Sequence, residues 1–171
     1  MEDKKNYFKS SMHSSINLCK EWENGQISDE LLADCVGQLI KTKAGARGFF
    51  AISLASDCPL MDRLPDALIL KLREEGTTIV NLTTKNLAMS SAMAIYHGRM
   101  KNELQKSGSI RVTERCIDIL RLLDPQEVKI CLEKMVDGIK GLGEESLFLE
   151  KWNYDKEQID EIYKSINKVA I

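Results

Sequence analysis

The stretch TIVNLTTKNLAMSSAMAIYHGRMKNELQK, residues 78–106, decides the fold. Seven of its positions are spaced alternately three and four residues apart, which is the spacing of one helix face; they are Ile79, Leu82, Asn86, Met89, Met93, Tyr96 and Met100. A second apolar side contains Leu87, Ala88, Ala92, Ala94 and Ile95. A helix that is apolar on two sides is typical of the middle of a bundle. We therefore predict a helix over 78–106 at the centre of an all-α fold.

Periodicity and helix-end signals predict further helices on both sides of this stretch. They cover 4–23, 28–41, 44–56, 61–75, 110–123, 125–141 and 155–169, with a short helical piece at 144–152. The segment 44–56 is ambiguous, because Phe50, Ile52 and Leu54 alternate as in a strand, whereas its small residues fit a helix packed closely against another. We predict a helix there. The whole chain, 1–171, is predicted to form one domain, a single bundle in which six or seven of these segments are full helices.

Local residues mark several of the expected helix ends. Asn24 and Gly25 favour a stop after the first helix, and Ser107-Gly108-Ser109 favours a break after the long one. Asp124-Pro125 offers an N-cap followed by a proline at the first helical position. Asp155 with Gln158 three residues later predicts a capping box for the last helix.

Composition favours a soluble cytoplasmic protein. The chain has 171 residues and is 43% hydrophobic, and its five cysteines are an odd number without a CxxC pair, as expected for reduced thiols in a reducing compartment. Its first residues, 1–6, mix both charge signs and do not resemble a secretory signal. The most apolar run, FFAISLA at 49–55, is too short to cross a bilayer as a helix. We therefore expect no membrane partner.

Charge is unevenly distributed along the chain. The net charge of −2 argues against non-specific nucleic-acid binding, so no nucleic-acid partner is expected. Residues 76–123 carry a net charge of +4, however, and residues 124–171 carry −4. The middle then either builds an anion-binding face or is complemented by the acidic last third folding back on it. We favour the second interpretation, because charges on solvated helices usually serve solubility.

No motif for catalysis, metal or cofactor binding stands out. The two histidines, His13 and His97, are not in a metal-binding spacing, and neither glycine cluster, 45–48 or 138–143, matches a phosphate loop. Cys58 lies in a predicted loop without an identifiable base. We therefore predict no metal and no cofactor, and we lean against an enzyme.

Basic residues supply one candidate site. A ligand carrying phosphate or carboxylate groups would suit guanidinium side chains, which bind such groups bidentately. If the long helix and the next one are antiparallel, residues on both sides of the Ser107-Gly108-Ser109 turn would approach each other. The candidates for binding a small anionic ligand are Arg47, His97, Arg99, Arg111 and Arg115. The alternative is that these cations pair with Glu103, Glu114, Asp118 or the acidic last third.

The heptad spacing of 78–106 supplies a second candidate, an interface. A buried asparagine at a heptad core position sets register and oligomeric state, and methionines adapt well to a partner surface. Asn86 has other interpretations, since it would also be satisfied by a neighbouring backbone group or by a place in the first turn of a helix starting near Thr83. The methionines would also serve as ordinary core residues. The predicted interface residues are Asn86, Met89, Met93, Tyr96 and Met100.

Two segments, GARGFF at 45–50 and NLAMSSAMAIYHGR at 86–99, resemble helical proteins of unassigned function that are associated with cyanobacteria. The resemblance covers residues 44–116. It implies a bacterial cytoplasmic setting and carries no chemistry.

These observations together predict a non-enzymatic helical interaction or regulatory module that docks on a protein partner or on a second copy of itself as a homo-oligomer. The alternative is a binder of a small anionic ligand with weak enzymatic activity.

Overall fold

The protein is all-α, as predicted from its periodicity. The computed structural model describes the backbone of residues 2–170 and the side chains of residues 6–170. Met1, part of the polar start, lies outside the described residues. Helices make up 82% of the chain, and the described residues contain no strand. In order, the helices are α1 Glu2–Glu23, α2 Asp29–Ile40, α3 Lys43–Ser53, a 3-10 helix Pro59–Asp62, α4 Asp66–Glu74, α5 Gly76–Arg99, α6 Glu103–Leu122, α7 Pro125–Ile139, α8 Glu144–Trp152 and α9 Lys156–Val169.

The expected six or seven helices are corrected to nine α-helices within the described part of the chain. The predicted helix 61–75 is also shorter than expected. Pro65 cannot lie inside a helix without removing a hydrogen bond, so it flanks α4 as its N-cap, and Pro59–Asp62 forms a separate 3-10 turn.

The predicted helix over 78–106 is wrong at its C-terminal end, and Ser107-Gly108-Ser109 is not a turn. α5 ends at Arg99 because Lys101 adopts a left-handed conformation (φ 54°). Asn102 N–H then donates to the His97 carbonyl oxygen at 3.0 Å, and Lys101 N–H donates to the Gly98 carbonyl oxygen at 3.1 Å. These two bonds form a Schellman motif in which lysine, and not glycine, holds the left-handed position. The Asn102 side chain begins α6 by accepting from Gln105 N–H at 3.2 Å.

The other helix-end predictions are confirmed. Gly25 is left-handed after α1 (φ 69°). Asp124 accepts from the backbone N–H groups of Gln126 and Glu127 at the start of α7. Asp155 and Gln158 form the predicted capping box of α9.

The chain divides into two compact units, residues 1–79 (unit 1) and residues 80–171 (unit 2). No observation tests whether they form the single domain expected for 1–171, which stays a prediction.

Unit 1 has a core of bulky apolar side chains. α1 packs on α3, and α2 packs on α3 and α4. Phe49 and Phe50 of α3 are fully buried and meet edge to face, with ring centroids 5.6 Å apart. The helix predicted at 44–56 is confirmed as α3, and its close packing depends on Gly48, since a Cβ there would lie 2.3 Å from Ser11 Oγ of α1.

Unit 2 places α5, from Val80 onward, against α6, α8 and α9. The Ser90 and Thr113 hydroxyls, 2.8 Å apart, join α5 to α6. The Gln158 side chain accepts from Asp155 N–H at 3.1 Å and donates through Nε2 to the Ala92 carbonyl oxygen at 3.1 Å, so it joins the start of α9 to α5. α7 packs on α8 and α9, and α6 packs on α9.

Candidate functional site

The predicted interface residues lie on the more exposed side of α5. We call Leu82, Asn86, Met89, Met93, Tyr96 and Met100 the outer stripe. The first four are partly exposed, whereas Tyr96 is 46% and Met100 is 62% exposed. The bulky apolar residues that suggested a buried seam are therefore accessible to a partner over about 27 Å of helix, from Leu82 to Met100.

The opposite side of α5 is buried although it is made largely of small and hydroxyl residues. It contains Thr83, Thr84, Leu87, Ala88, Ser91 and Ala92. The Ser91 hydroxyl donates to the Leu87 carbonyl oxygen at 2.7 Å, so its hydrogen-bonding capacity is used within its own helix. Because most of these side chains are short, this face of α5 is thin.

Asn86 bonds within its own helix. Its side-chain nitrogen donates to the Leu82 carbonyl oxygen at 2.9 Å. This is the backbone interaction that the sequence left open as an alternative to pairing with a symmetry-related asparagine. The apolar residues of the outer stripe are therefore the ones that remain available to a partner.

A further exposed apolar residue lies just after the turn between α5 and α6. Leu104, at the start of α6, is 82% exposed and follows closely after Met100. Sequence reasoning missed Leu104 because it placed this residue inside one continuous helix. The signal that could have found it is Asn102 with Gln105 three residues later, which resembles the N-terminus of a helix.

Arg99, a candidate anion-binding residue, is already engaged by two carboxylates of the acidic last third. Its guanidinium donates to both oxygens of Asp155, at 2.5 and 3.1 Å, and also to Glu157. Charge-assisted bonds of this fork-like kind hold the pKa of Asp155 at about 2, below its ordinary 3.8, and the Gln158 backbone N–H adds to the effect. The same carboxylates raise the pKa of Arg99.

A second ion pair between helices joins Lys85 and Glu145, and the sequence did not single out these two residues as partners. The Nζ atom of Lys85 on α5 lies 3.3 Å from the Oε1 atom of Glu145 on α8. The same ammonium group is 5.4 Å from the centroid of the Phe148 ring. Glu145 is only 8% exposed. Together with Arg99, this pair confirms that the acidic last third complements the basic middle at these two positions.

The other anion-binding candidates are dispersed. Arg111 is half-buried and Arg115 is 3% exposed. α6 runs antiparallel to α5, and the contact of Ser90 with Thr113 sets which residues of the two helices lie side by side. In this register Arg99 lies beside residue 104. Arg111 is then roughly 10 Å from Arg99 along the helix axis, and Arg115 is roughly 16 Å from it.

His97 and Arg47 complete the set of candidates. His97 is half-buried, with its ring 5.4 Å from that of Tyr96. Arg47 belongs to unit 1, where its guanidinium lies 5.4 Å from the centroid of the Phe8 ring. Among the described residues, neither side chain is held by carboxylates in the way that Asp155 and Glu157 hold Arg99.

Both glycine clusters have structural roles. Gly45 and Gly48 lie inside α3, where Gly48 allows close packing on α1. Gly141 is left-handed (φ 78°) and ends α7. The described residues contain no group of three or more His, Cys, Asp or Glu placed to hold a metal ion. None of the described helices combines the length and apolarity that a membrane span requires.

Unit 2 also carries surface grooves away from the outer stripe. One groove of about 870 Å³ lies between the end of α6, α7 and α9. Its apolar floor includes Leu132 and Ile166, and its charged rim is paired locally, as in Lys129 with Glu133 and Lys140 with Asp137. A cleft of about 670 Å³ lies between α5, α6 and α9.

The described residues define an all-α protein. The family model described as "Uncharacterised conserved protein UCP020893" matches residues 7–169, and the chain belongs to that family. No curated protein and no solved structure matches the chain significantly.

Proposed function

We propose that this chain is a non-enzymatic interaction module of the bacterial cytoplasm, and that it self-associates through the outer stripe of α5 together with Leu104. The observation that carries the proposal is the exposure of Tyr96, Met100 and Leu104, three bulky apolar side chains that follow one another at the end of α5 and the start of α6. Contiguous apolar surface of this kind is typical of protein interfaces.

The chemistry of the stripe suits another helix as its partner. Met89, Met93 and Met100 are unbranched and adaptable, so they can repack against a facing side chain. Tyr96 combines a large apolar ring with a polar tip, as is common at interface hot spots. A stripe about 27 Å long is long enough for two copies of α5 to pack against each other in a two-fold arrangement.

The ion pairs of Arg99 support this choice over the anionic-ligand alternative. A ligand at Arg99 would have to displace Asp155 and Glu157, both of which already accept from its guanidinium. The outer stripe has no such occupant among the described residues of unit 2. Docking there requires only the removal of water from apolar side chains, which is favourable.

Sedimentation velocity on the purified chain tests the proposal. We expect a reversible dimer whose population rises between roughly 1 µM and 1 mM. Met100→Glu and Tyr96→Glu would each place a charge in the interface, and we expect each to weaken association at least tenfold, equivalent to about 1.4 kcal/mol. Both side chains are exposed, so neither change should unfold the protein.

Leu147→Glu is the matched control, since Leu147 of α8 is 67% exposed but lies outside the stripe. It should leave association unchanged. A monomer that persists over the whole concentration range would overturn self-association. Equal loss of dimer in the control and in Met100→Glu would remove the stripe as its location.

A further inference from the structure

Two cysteines of unit 1 that are distant in sequence lie close together in space. Cys19 is near the end of α1 and 4% exposed, and Cys58 is the residue just before the 3-10 helix and 7% exposed. Both are thiols in this structure. The Cys58 sulfur lies 3.7 Å from the Cys19 carbonyl oxygen, to which its S–H group donates.

That contact places the two sulfur atoms within reach of each other. A residue's own carbonyl oxygen and Sγ are four covalent bonds apart and therefore at most roughly 5 Å apart. The 3-10 helix that follows Cys58 also packs on α1. A disulfide needs Cα atoms about 4.4–6.8 Å apart, so forming the bond requires rotation about the two Cα–Cβ bonds and movement of the Cys58 loop toward Cys19.

The two positions differ in their freedom to move. Cys19 is fixed within a long helix, whereas Cys58 lies in the irregular connection between α3 and α4, where Pro59 prevents continuation of a helix from the preceding residue. Irregular connections open at lower free energy than helices packed in a core. Cys58 is therefore the thiol that reaches an oxidant first.

We propose that Cys19 and Cys58 form a reversible disulfide when the protein meets a peroxide, and so act as a thiol switch in unit 1. The Cys58 sulfur attacks one peroxide oxygen, the O–O bond breaks, and the thiol proton leaves with the departing oxygen as water. The Cys58 sulfenic acid that remains is then attacked by the Cys19 sulfur. The S–S bond forms as the S–O bond breaks, and a second water leaves with the Cys19 proton.

Two thiols are thereby oxidised and one hydrogen peroxide is reduced to two waters. A thiol reductant reverses the reaction by disulfide exchange. The bond would tie the end of α1 to the start of the 3-10 helix across the intervening α2 and α3. Because such a cross-link restricts the unfolded chain, the oxidised protein is expected to melt at a higher temperature than the reduced protein.

The remaining cysteines serve as internal controls. Cys35 is partly exposed on α2 and belongs to the same unit. Cys116 and Cys131 lie in unit 2, where burial raises the pKa of both thiols and keeps them in the less reactive protonated form. Oxidation confined to the Cys19–Cys58 pair would therefore reflect their proximity and not general thiol reactivity.

Peptide mapping of the intact chain tests the proposal directly. The chain is treated with hydrogen peroxide, alkylated and digested with trypsin without reduction. The expected product is the peptide 10–20 linked to the peptide 48–63, with a mass about 2 Da below the sum of the two because two hydrogens are lost. Dithiothreitol should return both peptides as thiols and lower the melting temperature to that of the untreated protein.

Variants separate this pair from the alternatives. Cys58→Ser and Cys19→Ser should each abolish the linked peptide, whereas Cys35→Ser should leave its yield unchanged. A linkage through Cys35, or Cys58 recovered only as sulfinic acid from the wild-type chain, would overturn the proposal. Since this readout uses the wild-type chain, it holds even if a serine variant fails to fold.

Discussion

Unit 1 and unit 2 are both helical and both bury aliphatic side chains, but the buried face of α3 in unit 1 differs from that of α5 in unit 2. Unit 1 buries bulky apolar residues such as Phe49, Phe50 and Leu60, and α3 approaches α1 closely at Gly48. Along α5, unit 2 instead buries threonine, serine and alanine, and it leaves methionine and tyrosine toward the surface. The contrast between the units is thus one between a helix packed through bulky rings, α3, and a helix packed through a thin face, α5.

The largest expected effect comes from removing volume in unit 1. Phe49→Ala should lower the free energy of unfolding by about 3–5 kcal/mol, because it removes a buried ring and leaves a cavity. Ser91→Ala in unit 2 should cost less than about 1 kcal/mol, since it removes only a hydroxyl bonded within its own helix. Urea unfolding of the two variants measures both values. Equal losses would contradict the contrast between the units.

A second test adds bulk to the thin face of α5. Ala88→Leu adds bulk at a fully buried position, and we expect it to cost about 1–3 kcal/mol, because the larger side chain must push α5 away from its neighbours. Thermal unfolding measures the loss. If the variant proved more stable than the wild type, the face would have room to spare and the close-approach argument would be wrong.

A smaller and pH-dependent effect is expected at the junction of α5 and α9. The pKa of Asp155 is about 2 in the folded protein and 3.8 ordinarily, so its stabilising contribution is fully present above pH 3.8 and is lost as the pH falls toward 2. Arg99→Ala removes the main cause of this shift and should flatten the pH dependence of unfolding in that interval. Lys164→Ala, which breaks an exposed pair within α9, is the control and should retain the wild-type slope. Parallel curves for all three proteins would contradict the assignment.

The smallest effect on stability is expected on the outer stripe. Met100→Ser should change the free energy of unfolding of the monomer by less than about 0.5 kcal/mol, since the side chain is 62% exposed. Chemical denaturation at a concentration below that of dimer formation measures it. A loss of 2 kcal/mol or more would mean that Met100 is a core residue, as an ordinary heptad interpretation holds.

The contrast between the units also explains what the sequence could predict. Hydrophobic period, caps and prolines located the helices well, and the charge asymmetry anticipated ion pairs such as that of Arg99 with Asp155. The period identified the apolar side of α5 but not the buried side, because a face of serine, threonine and alanine is buried through close packing that hydropathy does not measure. The end of α5 was missed because a lysine, Lys101, occupies a left-handed position that usually signals itself by glycine.

The two hydrogen bonds of the Gln158 side chain fix the position of α9 along α5. Its oxygen fixes the residue at which α9 begins, and its nitrogen fixes the turn of α5 against which α9 lies. Sliding α9 by one residue would displace that amide by about 1.5 Å and rotate it by about 100°, so neither bond would survive. Gln158→Leu, which removes both bonds, should therefore speed hydrogen exchange along the first turn of α9, whereas Lys164→Ala should have no such effect.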